Sequence, residues 1–144
     1  MTKMNWTRIL FGGVVSAFVM LLVRSALLVF SAEKWRAAVQ EARGPAAASP
    51  GSAGVALGLL FMVVYGVFSV WLYAAIRPRF GPGVKTAVIA GLAVGLIGIA
   101  LPSIGFASMG VLPASLSQLF YVTAGLGPVY ATLGTVAGAW LYKE

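Results

Sequence analysis

The sequence contains no cysteine, no histidine and no aspartate, and only Glu33, Glu41 and Glu144 are acidic. Without Cys and His the commonest ligands of zinc, copper and haem are missing, as are thiol chemistry and disulfide staples. All three glutamates lie outside the long apolar runs. Paired-carboxylate catalysis and a membrane-buried acidic relay therefore have no candidates. No catalytic residue, metal site or cofactor is expected, and the chain does not read as an enzyme. Charge of either sign is scarce. Only 9% of the 144 residues are charged, against about a quarter in soluble domains. Hydrophobic residues make up 60% and the mean hydropathy is +0.97, so the solvent implied is lipid. The formal net charge of +7 comes from basic residues that mostly flank apolar runs. Anionic lipid headgroups, with Arg77, Arg79 and Lys85 facing them, are the expected counter-charge, and nucleic acid is not.

Four apolar runs are present, over residues 9–31, 54–76, 84–104 and 117–142. Each reaches the roughly 20 residues that cross a ~30 Å hydrocarbon core as a helix. The expected fold is all-α: a single integral membrane domain over 1–144, built as a four-transmembrane-helix bundle. Lys3 and Arg8 precede the first run, as in a signal peptide. The run outlasts the 7–15 residues of a signal core and contains Arg24, so it reads as a retained span.

Between the first two spans, a short interfacial helix is expected from Ser31 as cap, with Glu33 in its first turn and Arg43 in its last, ending at Gly44-Pro45. Trp35, Ala38, Val39 and Ala42 share one face at helical spacing, a pattern suited to the headgroup layer with Trp35 as anchor. A disordered loop is the alternative. Residues 46–52 read as a flexible linker. Pro78 is expected to end the second span, with Gly81 and Gly83 allowing a tight reversal. Residues 105–116 read as a charge-free connection near the membrane surface.

Lys3, Arg8, Arg77, Arg79, Lys85 and Lys143 fall on the side of both termini; Lys34, Arg36 and Arg43 fall on the other, beside Glu33 and Glu41. The positive-inside rule places both termini in the cytoplasm. Trp6, Trp71, Tyr73, Trp140 and Tyr142 would form an aromatic belt at that face.

Most of the 18 glycines lie within the spans. Small residues let membrane helices approach closely, where dispersion contacts replace the absent hydrophobic drive. Gly54 and Gly58, Gly91 and Gly95, and Gly134 and Gly138 are small-xxx-small pairs on three spans, and Gly13 with Ala17 adds the first. The spacing leaves open whether each contact is within one chain or between copies. Tyr65, Ser69 and Tyr73 follow at i+4 and read as a polar stripe facing the bundle; the alternative is a hydroxyl-lined path for a substrate, which only Tyr130 and Thr132 could continue on other helices.

Arg24 is the most costly residue. An intramembrane Arg costs about 2.5–3.5 kcal/mol on insertion scales, so it needs a partner. It shares a face with Gly13 and Ala17, at i, i+4 and i+11, and no carboxylate lies at its depth. Pro128 lacks an N–H and frees the carbonyl of Ala124, which counts to the same depth; Gln118, Tyr121 and Thr123 occupy that layer. Three readings stand open: hydrogen bonding of Arg24 to this kinked segment, snorkelling to the interface, and binding of an anion such as a lipid phosphate.

The segments Asn5-Trp6-Thr7-Arg8, the stretch around Trp35, and Tyr73-Ala74-Ala75-Ile76-Arg77-Pro78-Arg79-Phe80-Gly81-Pro82-Gly83 together resemble small uncharacterised bacterial four-span integral membrane proteins. The Arg-Pro-Arg-Phe-Gly-Pro-Gly loop is the specific part. The resemblance implies a bacterial cytoplasmic (inner) membrane and brings no activity with it. The functions to weigh are a structural or accessory bundle, acting as a homo-oligomer or within a larger membrane complex, and a small oligomeric transporter or channel for an anionic or uncharged cargo.

Overall fold

A computed structural model describes residues 4–44 and 51–142. Within them lie helices α1 (Trp6–Val29), α2 (Ala32–Arg43), α3 (Ser52–Phe80), α4 (Val84–Ser108) and α5 (Ala114–Leu141). All but α2 are long and apolar enough to cross a membrane, so the protein is a multi-span membrane helix bundle. Lys3, Lys143 and most of the expected linker, residues 46–50, lie outside the described residues.

The helix ends show where local chemistry agreed with the sequence and where it did not. Asn5 caps α1, its Oδ1 accepting the Arg8 N–H at 3.2 Å, as a short polar side chain at that position should. Ser31 precedes α2 as expected but does not cap it; its hydroxyl donates back to the Leu28 carbonyl at 3.2 Å. Gly44, at φ +82°, closes α2 with its N–H on the Gln40 carbonyl. Pro78 does not end α3, which runs on to Phe80. A proline in the last turn removes one N–H bond, while the turn still closes through the Gly81 N–H on Arg77 O at 2.8 Å. The stop comes from Gly81 and Gly83, at φ +82° and +132°, values that an L side chain resists. This reversal is fixed by Thr86, whose hydroxyl donates to Gly81 O at 2.7 Å, and by the Gly83 N–H donating to Tyr73 OH at 3.3 Å.

The third span is not a uniform helix. Residues Gly95–Ala100 wind as a π-helical segment, with the Leu101 N–H reaching Leu96 O. Pro102 follows one residue later and has no N–H to offer the Gly98 carbonyl. Tyr65 of α3 takes that acceptor, its hydroxyl donating to Gly98 O at 2.8 Å. α4 then continues to Ser108, so the expected connection over 105–116 contracts to 109–113.

Glycine sets the spacing of the helices. A Cβ at Gly12 would stand 2.7 Å from the Gly138 carbonyl oxygen, and one at Gly13 would stand 2.5 Å from Val67 Cα. Gly66 faces Gly13 and Ala17; Gly134 faces Ser16 and Met20; Gly91 lies against Thr132 and Thr135, and Gly95 against Pro128. α1 thereby abuts α3 and α5, and α4 abuts α5. Ser16 and Ser69, both fully buried, share a hydrogen bond of 3.1 Å across the α1–α3 contact. Gly54 and Gly58 behave differently. Both are exposed, and nothing lies within 4 Å of the place a Cβ would take at Gly58. Every residue from 51 to 61 is exposed, so among the described residues this stretch of α3 is not buried by a neighbouring helix.

One core cluster, including Ile9, Val70, Tyr73, Ala87, Ala139 and Tyr142, fills the end of the bundle near both termini. Tyr73 and Tyr142 are therefore buried edge-to-face, with the Arg77 guanidinium 5.7 Å from the Tyr142 ring centre. Of the expected aromatic belt, Trp6 and Trp140 face outward, Trp71 is half-buried, and the two tyrosines turn inward. At the other end α2 lies against α5. Ala38 is buried with Leu116 and Leu119, and Trp35 packs edge-on to Phe120 at 5.8 Å. Trp35 thus docks α2 onto the bundle, while Ala42 is exposed. The perimeter is a girdle of exposed apolar side chains, among them Phe11, Phe18, Leu22, Phe61, Ile97 and Leu101. Such a surface is stable in lipid and not in water.

Candidate functional site

α3 and α4 leave the Gly81–Gly83 turn as an antiparallel pair, bridged as far as Tyr65 and Gly98. Beyond that bridge a cavity of about 260 Å³ opens between the two helices. Gly58, Phe61, Met62 and Tyr65 line it from α3, and Gly98, Ile99, Pro102 and Ser103 from α4. Arg24 of α1 and Tyr130 of α5 complete it. Its walls are mainly apolar; its polar groups are the Arg24 guanidinium and the Ser103, Tyr65 and Tyr130 hydroxyls.

These groups differ in how they are engaged. The Tyr65 hydroxyl donates to Gly98 O. Arg24, Ser103 and Tyr130 make no hydrogen bond or ion pair with any described residue. Of the acids, Glu33 is exposed on α2, and Glu41 accepts from the Ser115 hydroxyl at 2.6 Å. Neither belongs to the cavity.

The layer expected around Arg24 on α5 is only partly brought to it. Thr123 joins Arg24, Leu27, Leu28, Leu126 and Tyr130 around a narrow crevice, its hydroxyl donating to Leu119 O at 3.0 Å. Gln118 and Tyr121 are exposed and line neither space. Ala124 is buried, and its carbonyl receives no hydrogen bond from Arg24. The reason is angular. At 3.6 residues per turn, Ala124, Pro128 and Ala131 share one face of α5, about a third of a turn from Thr123, Leu126 and Tyr130. The first face is taken by α4, with Pro128 and Ala131 against Gly95. Arg24 meets the second.

Two features of the site were not anticipated. The Tyr65 stripe does turn inward, as Ser69 and Tyr73 show by their burial, but its link to Arg24 runs through a cavity that spacing does not reveal. Pro102 was overlooked, although its position near the end of the third span carries the same freed-carbonyl signal that marked Pro128.

Among the described residues no group of His, Cys, Asp or Glu could hold a metal ion. The chemistry available at the site is one fixed positive charge and hydroxyl donors in an apolar surround. Such a set can bind and orient an anion or a polar headgroup, but holds no strong base or nucleophile. No protein-family profile matches the chain, nor does any curated protein or solved structure. The class stands on its own geometry: a polytopic all-α membrane bundle with a charged cavity in its wall.

Proposed function

We propose that the protein is a non-catalytic, self-associating helix bundle of the bacterial cytoplasmic membrane, with both termini on the cytoplasmic side. The observation that carries this reading is the exposed stretch at the start of α3. Residues 51–61 are all exposed, and Gly54 and Gly58 lie within them. Elsewhere in the bundle glycines at such spacing abut a neighbouring helix. A helix from a second copy is the partner that would use the remaining pair in the same way. Arg8, Arg77, Arg79 and Lys85 at one end support the orientation, and the exposed Arg79 and Lys85 suit anionic headgroups. The charged, exposed side of α2 suits the opposite headgroup layer. The bacterial assignment rests on the resemblance of the Arg-Pro-Arg-Phe-Gly-Pro-Gly loop.

Size-exclusion chromatography with light scattering in a mild detergent tests the reading. Wild type should run as a dimer or larger species, and Gly54→Leu should shift it to monomer. A wild-type monomer across the concentration range would remove self-association. A small oligomeric transporter or channel is the second reading, favoured by the Arg24 cavity. Proteoliposome flux of an anionic solute that Arg24→Ala leaves unchanged would remove Arg24 from that role, and no flux with wild type would dismiss the reading.

A further inference from the structure

We infer that the Arg24 cavity is a binding site for the phosphate of an anionic amphiphile, which enters sideways between α3 and α4. The polar groups set the ligand's charge. Arg24, Ser103 and Tyr130 line one space and make no hydrogen bond to any described residue. Polar groups held in lipid without partners are costly, and an intramembrane Arg most of all. What the three lack is acceptor oxygen bearing negative charge. The chain has no carboxylate to supply it there, since all its glutamates lie outside the spans. A phosphate satisfies the guanidinium fork with two oxygens and leaves others for hydroxyl donors.

Size and surroundings set the rest of the ligand. The cavity holds about 260 Å³, enough for a phosphate and its first ester carbons at about 30 Å³ per water-sized group. Its remaining walls, Phe61, Met62 and Ile99, suit methylene chains. The entrance is the gap between α3 and α4 beyond the Tyr65–Gly98 bridge. Five residues separate Arg24 from the end of α1 at Val29, about 8 Å at 1.5 Å per residue. An arginine stem reaches most of that way, so a lipid phosphate need sink only slightly below its usual level. The shared chemistry is a phosphate; its source is either a lipid headgroup or a free anion.

Native mass spectrometry in a non-ionic detergent decides this, with phosphatidylglycerol, phosphatidylcholine or inorganic phosphate added. Wild type should retain one phosphatidylglycerol per chain through conditions that strip phosphatidylcholine. Arg24→Gln should weaken retention by about tenfold or more, as expected on losing a charge-assisted pair, and Arg24→Lys should weaken it less. Ser103→Leu fills the cavity without removing the charge and has no internal hydrogen bond to lose; it should weaken retention similarly. Tyr121→Phe, exposed on α5 and outside the cavity lining, should leave it unchanged. If inorganic phosphate alone displaces phosphatidylglycerol from wild type, the phosphate site stands and its source is a free anion. Wild-type retention by both Arg24→Gln and Ser103→Leu overturns the site, and retention by Ser103→Leu alone overturns its placement in this cavity. Gly54→Leu, which touches α3 outside the cavity lining, separates this result from self-association: it should lower the mass of the assembly and leave lipid retention intact.

Discussion

The same substitution at two glycines of α5 should have opposite effects. At Gly138 an added Cβ would stand 2.7 Å from Val70 Cγ2 and 2.8 Å from Ser16 Cβ, and closer still to the Gly12 carbonyl. That oxygen belongs to helix backbone and cannot swing aside. α1 and α5 must separate locally, and overpacking of this kind costs about 1–3 kcal/mol. At Gly125 nothing lies within 4 Å, and Gly125 is exposed. There alanine should gain up to about 1 kcal/mol from helix propensity. The expected difference between Gly138→Ala and Gly125→Ala is thus about 1–4 kcal/mol on adding those two ranges. Thermal unfolding in one detergent, followed by circular dichroism, should separate the two variants by several degrees. Equal melting temperatures would refute the claim that α1 and α5 touch through Gly12 and Gly138.

Two further outcomes follow from named contacts. Tyr65→Phe leaves the Gly98 carbonyl without its donor and should destabilise by about 1–3 kcal/mol; in a Pro102→Ala background the restored N–H should absorb most of that loss, measured as a double-mutant cycle in the same melts. Trp35→Ala removes the edge contact that holds α2 to Phe120, so limited proteolysis should cut within Ala32–Arg43 faster while the melting of the bundle moves little.

Much of this fold was legible because lipid imposes a simple grammar. Length and hydropathy located the four long helices, and the small helix after the first span followed from its charged face and glycine stop. Gly13, Gly91, Gly95, Gly134 and Gly138 each lie close against a neighbouring helix, where a helix in lipid places small residues. The same spacing at Gly54 and Gly58 falls on an exposed stretch, with nothing within 4 Å of a Cβ at Gly58. A small-xxx-small pair reports a permissive surface, and what lies opposite depends on the path of the other helices. Proline was misread in a related way. Pro78 sits where its missing N–H matters little, Pro128 lies on the face of α5 that α4 covers, and Pro102 frees a carbonyl that Tyr65 takes. Which donor finds a freed carbonyl depends on rotation of helices about their axes, and a 144-residue sequence read alone does not fix that rotation. For the same reason Arg24 was marked by its cost, but its neighbours on α3 and α4 were not.

The proposed site depends on where the Arg24 side chain lies. In protein reconstituted into nanodiscs of deuterated lipid, with arginine and tyrosine selectively labelled, proton cross-relaxation between the Arg24 side chain and the Tyr130 ring measures this directly. Cross-peaks from Arg24 to Tyr130 are expected, and they should be perturbed on adding phosphatidylglycerol. Cross-peaks from Arg24 to Tyr121 with none to Tyr130 would contradict the proposed site.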